Sequence, residues 1–317
     1  MIYIVKSGDS LYSIARRYGT SAATIASING LPDQDVLVVG QALVLPSTPS
    51  PDRPMIETNL YVEWYTEVPS QTVINQVENV AAQLTYMMPF AFEVKRDGSL
   101  TEMNWGSLPE IAEANNVEAV IVLVNIEEGA FSDTLANTIF TNEEVKQRVF
   151  KETVAEANRR GTNHIHTDFE YINPTDRDKY VSFLKEFRAF APSFIFSASL
   201  APKTSANQPG KWYEGHDYKA LGEVLDFVVI MTYEWGYSGG PPMAVSPIGP
   251  VRRVLEYAIT DIPAQKVMMG QNLYGYDWTL PYKVGNPFAR AISAQAAVQL
   301  ARDRNAAIEY VSTGVII

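Results

Sequence analysis

The chain of 317 residues contains no cysteine, which removes disulfide staples, thiolate nucleophiles and Cys-ligated zinc from consideration at once. Cations are scarce, with 25 Lys and Arg against 36 Asp and Glu and a formal charge of −11. A phosphate backbone is bound through clustered positive charge, so nucleic acid is not expected as a partner. No apolar run approaches the roughly 20 residues that cross a bilayer, and no membrane partner is expected. Met1-Ile2-Tyr3-Ile4-Val5-Lys6 lacks a basic segment followed by an apolar stretch, so no N-terminal secretory signal peptide is expected. Histidine is limited to His164, His166 and His216.

What is present is a composition of 46% hydrophobic and 19% charged residues, enough apolar surface to bury a core. The length leaves room for one large domain and one small one. In the first stretch, the β-branched run Ile2 to Lys6 is followed by the turn formers Ser7-Gly8-Asp9-Ser10. Asp9 or Ser10 is placed to cap a helix. Leu11, Ile14, Ala15 and Tyr18 recur at helical spacing, and Gly19 supplies a stop. Thr20 or Ser21 can cap a second helix with Ile25 and Ile28 on its apolar face, and Ala42 to Pro46 reads as a closing strand.

These residues, with Tyr3, Val5, Asn29, Leu31 and Gly40-Gln41, resemble a complete LysM module of βααβ order over residues 1–46. That resemblance implies a groove for N-acetylglucosamine between Gly8 to Leu11 and Asn29 to Asp33, with Gly8, Asp9, Ser10, Leu11, Asn29 and Leu31 as its glycan-binding residues. Gly8, Asp9 and Asn29 are equally suited to shaping turns and caps. Pro46, Pro49, Pro51 and Pro54 then make residues 47–54 an extended, stiff linker.

From residue 55 to 317, apolar strand-like runs alternate with helical patterns, as in a parallel sheet covered by helices. Seven strands are expected near Asn59 to Trp64, Leu84 to Phe92, Ala119 to Asn125, Ile165 to Glu170, Phe194 to Leu200, Phe227 to Tyr233 and Lys266 to Leu273. The fold class is α/β, a (β/α)8 TIM-type barrel, whose catalytic groups belong at the C-terminal strand ends. In Asn163-His164-Ile165-His166-Thr167-Asp168-Phe169-Glu170, the two-residue period puts the histidines and both carboxyls on one face. The opposite face is the more apolar one, so the polar face points into the barrel. Asp168 and Glu170 then lie roughly 6.5–7 Å apart at Cβ, close enough for one charge to raise the other's proton affinity.

Asp168-Phe169-Glu170 and Met231-Thr232-Tyr233 resemble the active-site strand and sixth-strand motif of glycoside hydrolase family 18. Asn59 to Glu63, Met231 to Pro242 and Tyr274 to Trp278 are similar to the branch containing spore-cortex lytic enzymes. Membership implies a retaining, substrate-assisted N-acetylglucosaminidase needing no cofactor, acting on peptidoglycan or a related N-acetylglucosamine glycan. It implies Glu170 as general acid and base, Asp168 as the group that orients the 2-acetamido nucleophile, and Tyr233 as donor to its carbonyl. Trp235, Tyr274, Asp277, Trp278 and His166 are the substrate-binding candidates. The protein is expected to be a monomer associated with spore cortex, spore coat or cell wall.

Two departures qualify that expectation. His164 and His166 stand where the family carries Gly and Asp or Asn. His166 is read either as a cation that fixes Asp168 as charged or, with His164, as hydrogen-bonded filling of the barrel floor. His164, His166 and Asp168 also invite a zinc reading, for which only His216 remains as a further imidazole, so no metal is expected. The sequence ends before a further helix and eighth strand, so the barrel is expected to be truncated near its last strand, with Val311 to Ile317 as a possible substitute. A non-catalytic peptidoglycan- or chitin-binding protein is the alternative function.

Overall fold

The computed structural model describes residues 1–31, 37–46, 55–311 and 314–315. The proline-rich linker and the Pro32-Asp33 part of the expected LysM groove lie outside the described residues. The chain divides into two compact units. One holds Met1–Pro54, Thr232–Arg252 and Gln271–Ile317, and the other holds Met55–Met231 and Arg253–Gly270.

In the first unit, strands Ile2–Ile4 and Ala42–Val44 pair antiparallel around helices Leu11–Tyr18 and Ala22–Ile28. Each helix begins where a serine satisfies free backbone N–H groups. Ser10 and Ser13 form a reciprocal capping box, and Ser21 accepts from the Thr24 amide. The first helix stops at Gly19, which takes the left-handed conformation (φ 68°) that a side chain would resist. Tyr3, Val5, Leu11, Ile14, Ala15, Ile25, Leu43 and Leu45 form the core.

Such a small core leaves much of the closure to polar groups. Asn29 behaves as a piece of strand. Its amide nitrogen donates to Val44 O (2.8 Å) and Ile25 O (2.8 Å), and its oxygen accepts from the Val44 N–H (2.7 Å). Asp9 accepts from the Tyr3 hydroxyl (2.6 Å) and the Lys6 amide (2.8 Å), closing the turn in which Gly8 has φ 84°.

The second unit carries seven successive parallel strands. They are Asn59–Glu63, Tyr86–Phe90 continued by Phe92–Glu93, Glu118–Ala119 continued by Ile121–Val124, His164–Asp168, Ile195–Leu200, Phe227–Ile230 and Val267–Met269. All seven fall on the segments expected from the sequence, with the second running one residue further, to Glu93, and the third and fourth beginning one residue earlier, at Glu118 and His164. The seventh is shorter than expected: it ends at Met269, and it begins after Lys266, which sits in a 3-10 turn with its Nζ donating to Gly222 O and Leu225 O. Among the described residues, Tyr310–Val311 pairs antiparallel with Gly314–Val315, and neither joins the barrel sheet. The expectation that Val311 to Ile317 substitutes for an eighth strand is therefore corrected for the described part of that segment. No helix among the described residues is long and apolar enough to cross a membrane.

The fourth strand follows the two-residue alternation. Thr167 and Phe169 face the helix layer, where the Thr167 hydroxyl meets Tyr180 Oη (2.7 Å) and Phe169 packs with Phe140, Tyr180 and Phe183. His164, His166 and Asp168 take the other face. There Tyr86, Met88, Val122, Val124, Phe227 and Val229 form an apolar lining.

The Asn29→Ala variant is expected to expose the Val44 amide and to lower the stability of the N-terminal module by about 1–2 kcal/mol. Hydrogen exchange would register this as lost protection at Val44 while the fourth and fifth barrel strands keep theirs.

Candidate functional site

Asp168 is the last residue of the fourth strand and is 5% exposed. Glu170 follows two residues later. Its main chain is gripped by Asn125, the buried residue just after the third strand. Asn125 Oδ1 accepts from the Glu170 N–H (2.9 Å) and its Nδ2 donates to Glu170 O (3.0 Å) and Ser132 O (3.0 Å). The Glu170 side chain is held separately: the Trp212 indole N–H donates to Oε2. Trp212 in turn stacks on Tyr171, with centroids 6.4 Å apart and planes 22° apart. His216 braces the same strand end, accepting from the Ala201 amide at Nδ1 (2.9 Å) and donating from Nε2 to Phe169 O (3.0 Å).

Burial sets the electrostatics. Glu170 is pushed well above the usual carboxylate range, first by desolvation and then by the neighbouring Asp168 charge, with the Trp212 hydrogen bond opposing. Desolvation also raises Asp168, and a hydrogen bond from the Ser199 hydroxyl opposes it. The two carboxyls titrate as a pair, and Glu170 is the member held protonated most strongly.

Behind Asp168 lies a seam of polar groups. Strand register sets His166 opposite Ser197. Ser197 Oγ lies 2.9 Å from His164 Nε2 and 2.8 Å from His166 Nδ1. His166 Nε2 lies 3.0 Å from both Ser199 Oγ and Tyr61 Oη, which are 3.1 Å from each other. Both imidazoles are fully buried. Desolvation takes His166 well below its ordinary value and brings His164 down to about 3. His166 is therefore neutral, and the expectation of a cation fixing Asp168 is corrected: the cost of charging a ring in this apolar interior exceeds what the nearby carboxylate returns. Among the described residues, no group of three or more His, Cys, Asp or Glu is placed to hold a metal ion.

The remaining residues singled out in the sequence belong to the other compact unit. Tyr233 and Trp235 follow the sixth strand, and the Trp235 amide donates to Val245 O (3.1 Å). Tyr274 and Asp277 lie on strand Tyr274–Asp277, which pairs with Arg290–Ser293 as a separate hairpin. Glu234, with φ 67°, organises the aromatics: its Oε1 accepts from Tyr274 Oη (2.6 Å) and Tyr276 Oη (2.9 Å). Tyr276 then packs edge-on against Trp278 (5.5 Å), whose indole donates to Gly240 O (3.0 Å). A cleft of about 660 Å³ is lined here by Tyr274, Tyr276, Asp277, Trp278, Ser246 and Gln271, among others. In the same unit, Gly8, Asp9, Ser10 and Asn29 are occupied by the turn, the cap and the strand-pinning bonds, while Leu11 is in the core and Leu31 packs against it.

Asn125, Trp212, Ser199, Ser197 and Tyr61 went unmarked as functional residues in the sequence. Phe196-Ser197-Ala198-Ser199-Leu200 did carry a signal, since small hydroxyls at i and i+2 on a buried strand need partners on its inner face. Asn125, a lone amide closing the apolar run Ile121–Val124, is a second such signal. Trp212 lies in a loop with no periodicity to place it.

The comparisons with known proteins agree with this geometry. The LysM domain model matches residues 3–46, and the model described as Glycosyl hydrolases family 18 matches residues 58–310. The chain is 48% identical to the cortical fragment-lytic enzyme of Bacillus subtilis (strain 168), over 98% of this chain and 84% of that one. The crystal structure of the Bacillus cereus spore cortex-lytic enzyme SleL superposes with a TM-score of 0.81 at 43% identity, covering 99% of this chain and 72% of that one. A chitinase from Chromobacterium violaceum ATCC 12472 shares the fold at 19% identity, with a TM-score of 0.72 and coverage of 81% and 79%.

Replacing Trp212 by Phe deletes the indole donor that favours ionised Glu170. The Glu170 carboxyl is then expected to titrate at a still higher pH, read from its 13C chemical shift, with little change at Asp168.

Proposed function

Because the chain belongs to glycosyl hydrolases family 18, we propose that it hydrolyses N-acetylglucosamine linkages in spore-cortex peptidoglycan fragments by a retaining, substrate-assisted mechanism. The observation that carries this reading is the Asp168-Glu170 pair at the C-terminal end of the fourth strand, with both carboxyls raised by desolvation and each drawn back toward its charged form by its own donor, Ser199 for Asp168 and Trp212 for Glu170. Two relatives named as cortical or spore cortex-lytic enzymes support the choice of polymer.

Glu170 keeps its proton at neutral pH and acts as general acid toward the leaving glycosidic oxygen, then as general base toward water. The 2-acetamido oxygen of the substrate attacks the anomeric carbon, so no enzyme carboxylate forms a bond to sugar. Asp168, ionised once Glu170 holds the proton, orients the acetamido N–H and stabilises the positive charge that spreads over the oxazolinium ring. Tyr233 donates to the acetamido carbonyl. Trp235, Tyr274 and Trp278 offer faces on which sugar rings stack, Asp277 accepts from sugar hydroxyls, and His166 acts on the substrate only through Asp168.

The LysM module adds a second grip on the same polymer, raising the local concentration of glycan at the barrel. Its Gly8 to Leu11 and Asn29 to Leu31 loops contribute backbone groups to glycan while their side chains keep the turn closed. The protein works as a monomer associated with spore cortex or cell wall.

Glu170→Gln is expected to cut the release of reducing ends from cortical fragments by about 10²–10⁴-fold, with LysM-dependent wall binding retained. Equal release by the native chain and the variant would overturn the glycosidase reading. The pH dependence has a definite sign. Glu170 has a raised pKa, so its acid form is full at low pH and activity falls as pH rises through that value. Asp168 must be ionised, so activity also falls on the acid side, giving a bell whose alkaline limb moves upward in Trp212→Phe.

A further inference from the structure

Among the buried polar atoms of the second unit that have no hydrogen-bond partner are Glu118 Oε1, His164 Nδ1 and Asp168 Oδ1. The first two face each other at 3.9 Å, and Glu118, at the start of the third strand, keeps 31% of its side chain exposed. From His164 the contacts run without a gap through Ser197 Oγ, His166 and Ser199 Oγ to the Asp168 carboxyl, each step 2.8–3.0 Å where a distance is given. The path follows residues 164 to 168 along the strand, a rise of about 13 Å.

We propose that His164, Ser197, His166 and Ser199 form a proton relay through the barrel interior, linking Glu118 at the N-terminal strand ends to Asp168 at the C-terminal ends. The relay rests on the role assigned to Asp168 above. Every member except the two terminal carboxyls can donate and accept at once, so the chain has two polarities. In one, Glu118 is protonated and, when its side chain closes the 3.9 Å separation to hydrogen-bond range, donates to His164 Nδ1, His164 Nε2–H donates to Ser197, Ser197 to His166 Nδ1, His166 Nε2–H to Ser199, and Ser199 to ionised Asp168. A shift of each proton by one bond leaves Glu118 ionised, both rings protonated at Nδ1 instead of Nε2, both hydroxyls reversed, and Asp168 protonated. One proton has crossed the barrel, and no ring has ever carried a charge.

That neutrality is what the surroundings enforce. Tyr61 from the first strand, Tyr86 from the second and Phe227 from the sixth pack against the imidazoles. The charged groups that act on the path are Glu118, Asp168, Asp226 ahead of the sixth strand, and Glu57, which acts on Glu118 from ahead of the first strand. Desolvation and Glu57 raise Glu118, and desolvation raises Asp168, so both ends are shifted toward holding the proton. Tyr61 Oη donates to Ser199 in both polarities and keeps that hydroxyl in line. The consequence for turnover is a rear exit: Asp168 exchanges its proton with solvent at Glu118 while substrate covers the front of the site.

The three histidines make the test direct. The full chain, labelled with 15N at histidine, is followed from pH 4 to 8 in native form and as Glu118→Gln, whose amide donates to Nδ1 but releases no proton. In the native chain His164 and His166 are expected to stay neutral, with Nδ1 and Nε2 shifts lying between the limits of the two tautomers and moving together. In Glu118→Gln both rings are expected to rest at the Nε2–H limit. An imidazolium at either ring, protons on opposite nitrogens of the two rings at pH 6, or identical ring spectra in the two proteins would overturn the relay. These spectra need no turnover, so a failed glycosidase reading, seen as equal product release by the native chain and Glu170→Gln, leaves this test standing.

Discussion

Withdrawing the Asp168 carboxyl from water at the end of a barrel strand is the constraint on which the arrangement of the second unit depends. An isolated buried carboxylate is costly enough to neutralise itself, and here the Ser199 hydroxyl holds it toward the charged state. The same burial makes the adjacent Glu170 keep its proton, because a second charge beside the first has little solvent to screen it. A pair of carboxyls with one proton between them is thus a product of desolvation and proximity. The protein adds selectivity by giving Glu170 an indole donor and Asp168 a hydroxyl on a different strand.

The barrel interior explains why the hydroxyl is not replaced by a cation. Tyr86, Met88, Val122 and Phe227 surround the seam, and a charged imidazole among them would lose more hydration than the nearby carboxyls return. Neutral rings that bridge neutral serines satisfy nearly all of their polar atoms without that cost. Histidine at positions 164 and 166 is therefore compatible with a working Asp168 in a way that an isolated cation would not be.

Much of this was legible in the sequence, and the limits of legibility are physical. Alternation along Asn163 to Glu170 placed the histidines and Asp168 on the inner face because a buried strand has a strict two-residue period. The strands were found from continuous apolar runs, since both faces of a parallel sheet are covered. What alternation could not give was the partner of each polar residue, which depends on the register between strands far apart in the chain. His166 beside Ser197 is such a case, and its charge state followed from burial in the barrel interior, where Tyr61 packs on the ring, not from its neighbours in sequence. Trp212 and the Asn125 clamp lie beyond strand ends, where no period applies. In the LysM module, Asn29 and Asp9 carried two readings, and the hydrogen bonds to Val44, Tyr3 and Lys6 show how much of each side chain is spent on closing a very small fold.

The grip of Asn125 on the main chain of Glu170 separates where the acid sits from what its side chain is. Peptide groups, not the carboxyl, fix the loop, so the frame tolerates a change of the group it presents. A chain carrying an amide at position 170 would retain the shape of the working enzyme without its proton, and so would serve as a snare: a vessel in which uncut cortical glycan can be crystallised, counted by calorimetry, or fished from a mixture of wall fragments.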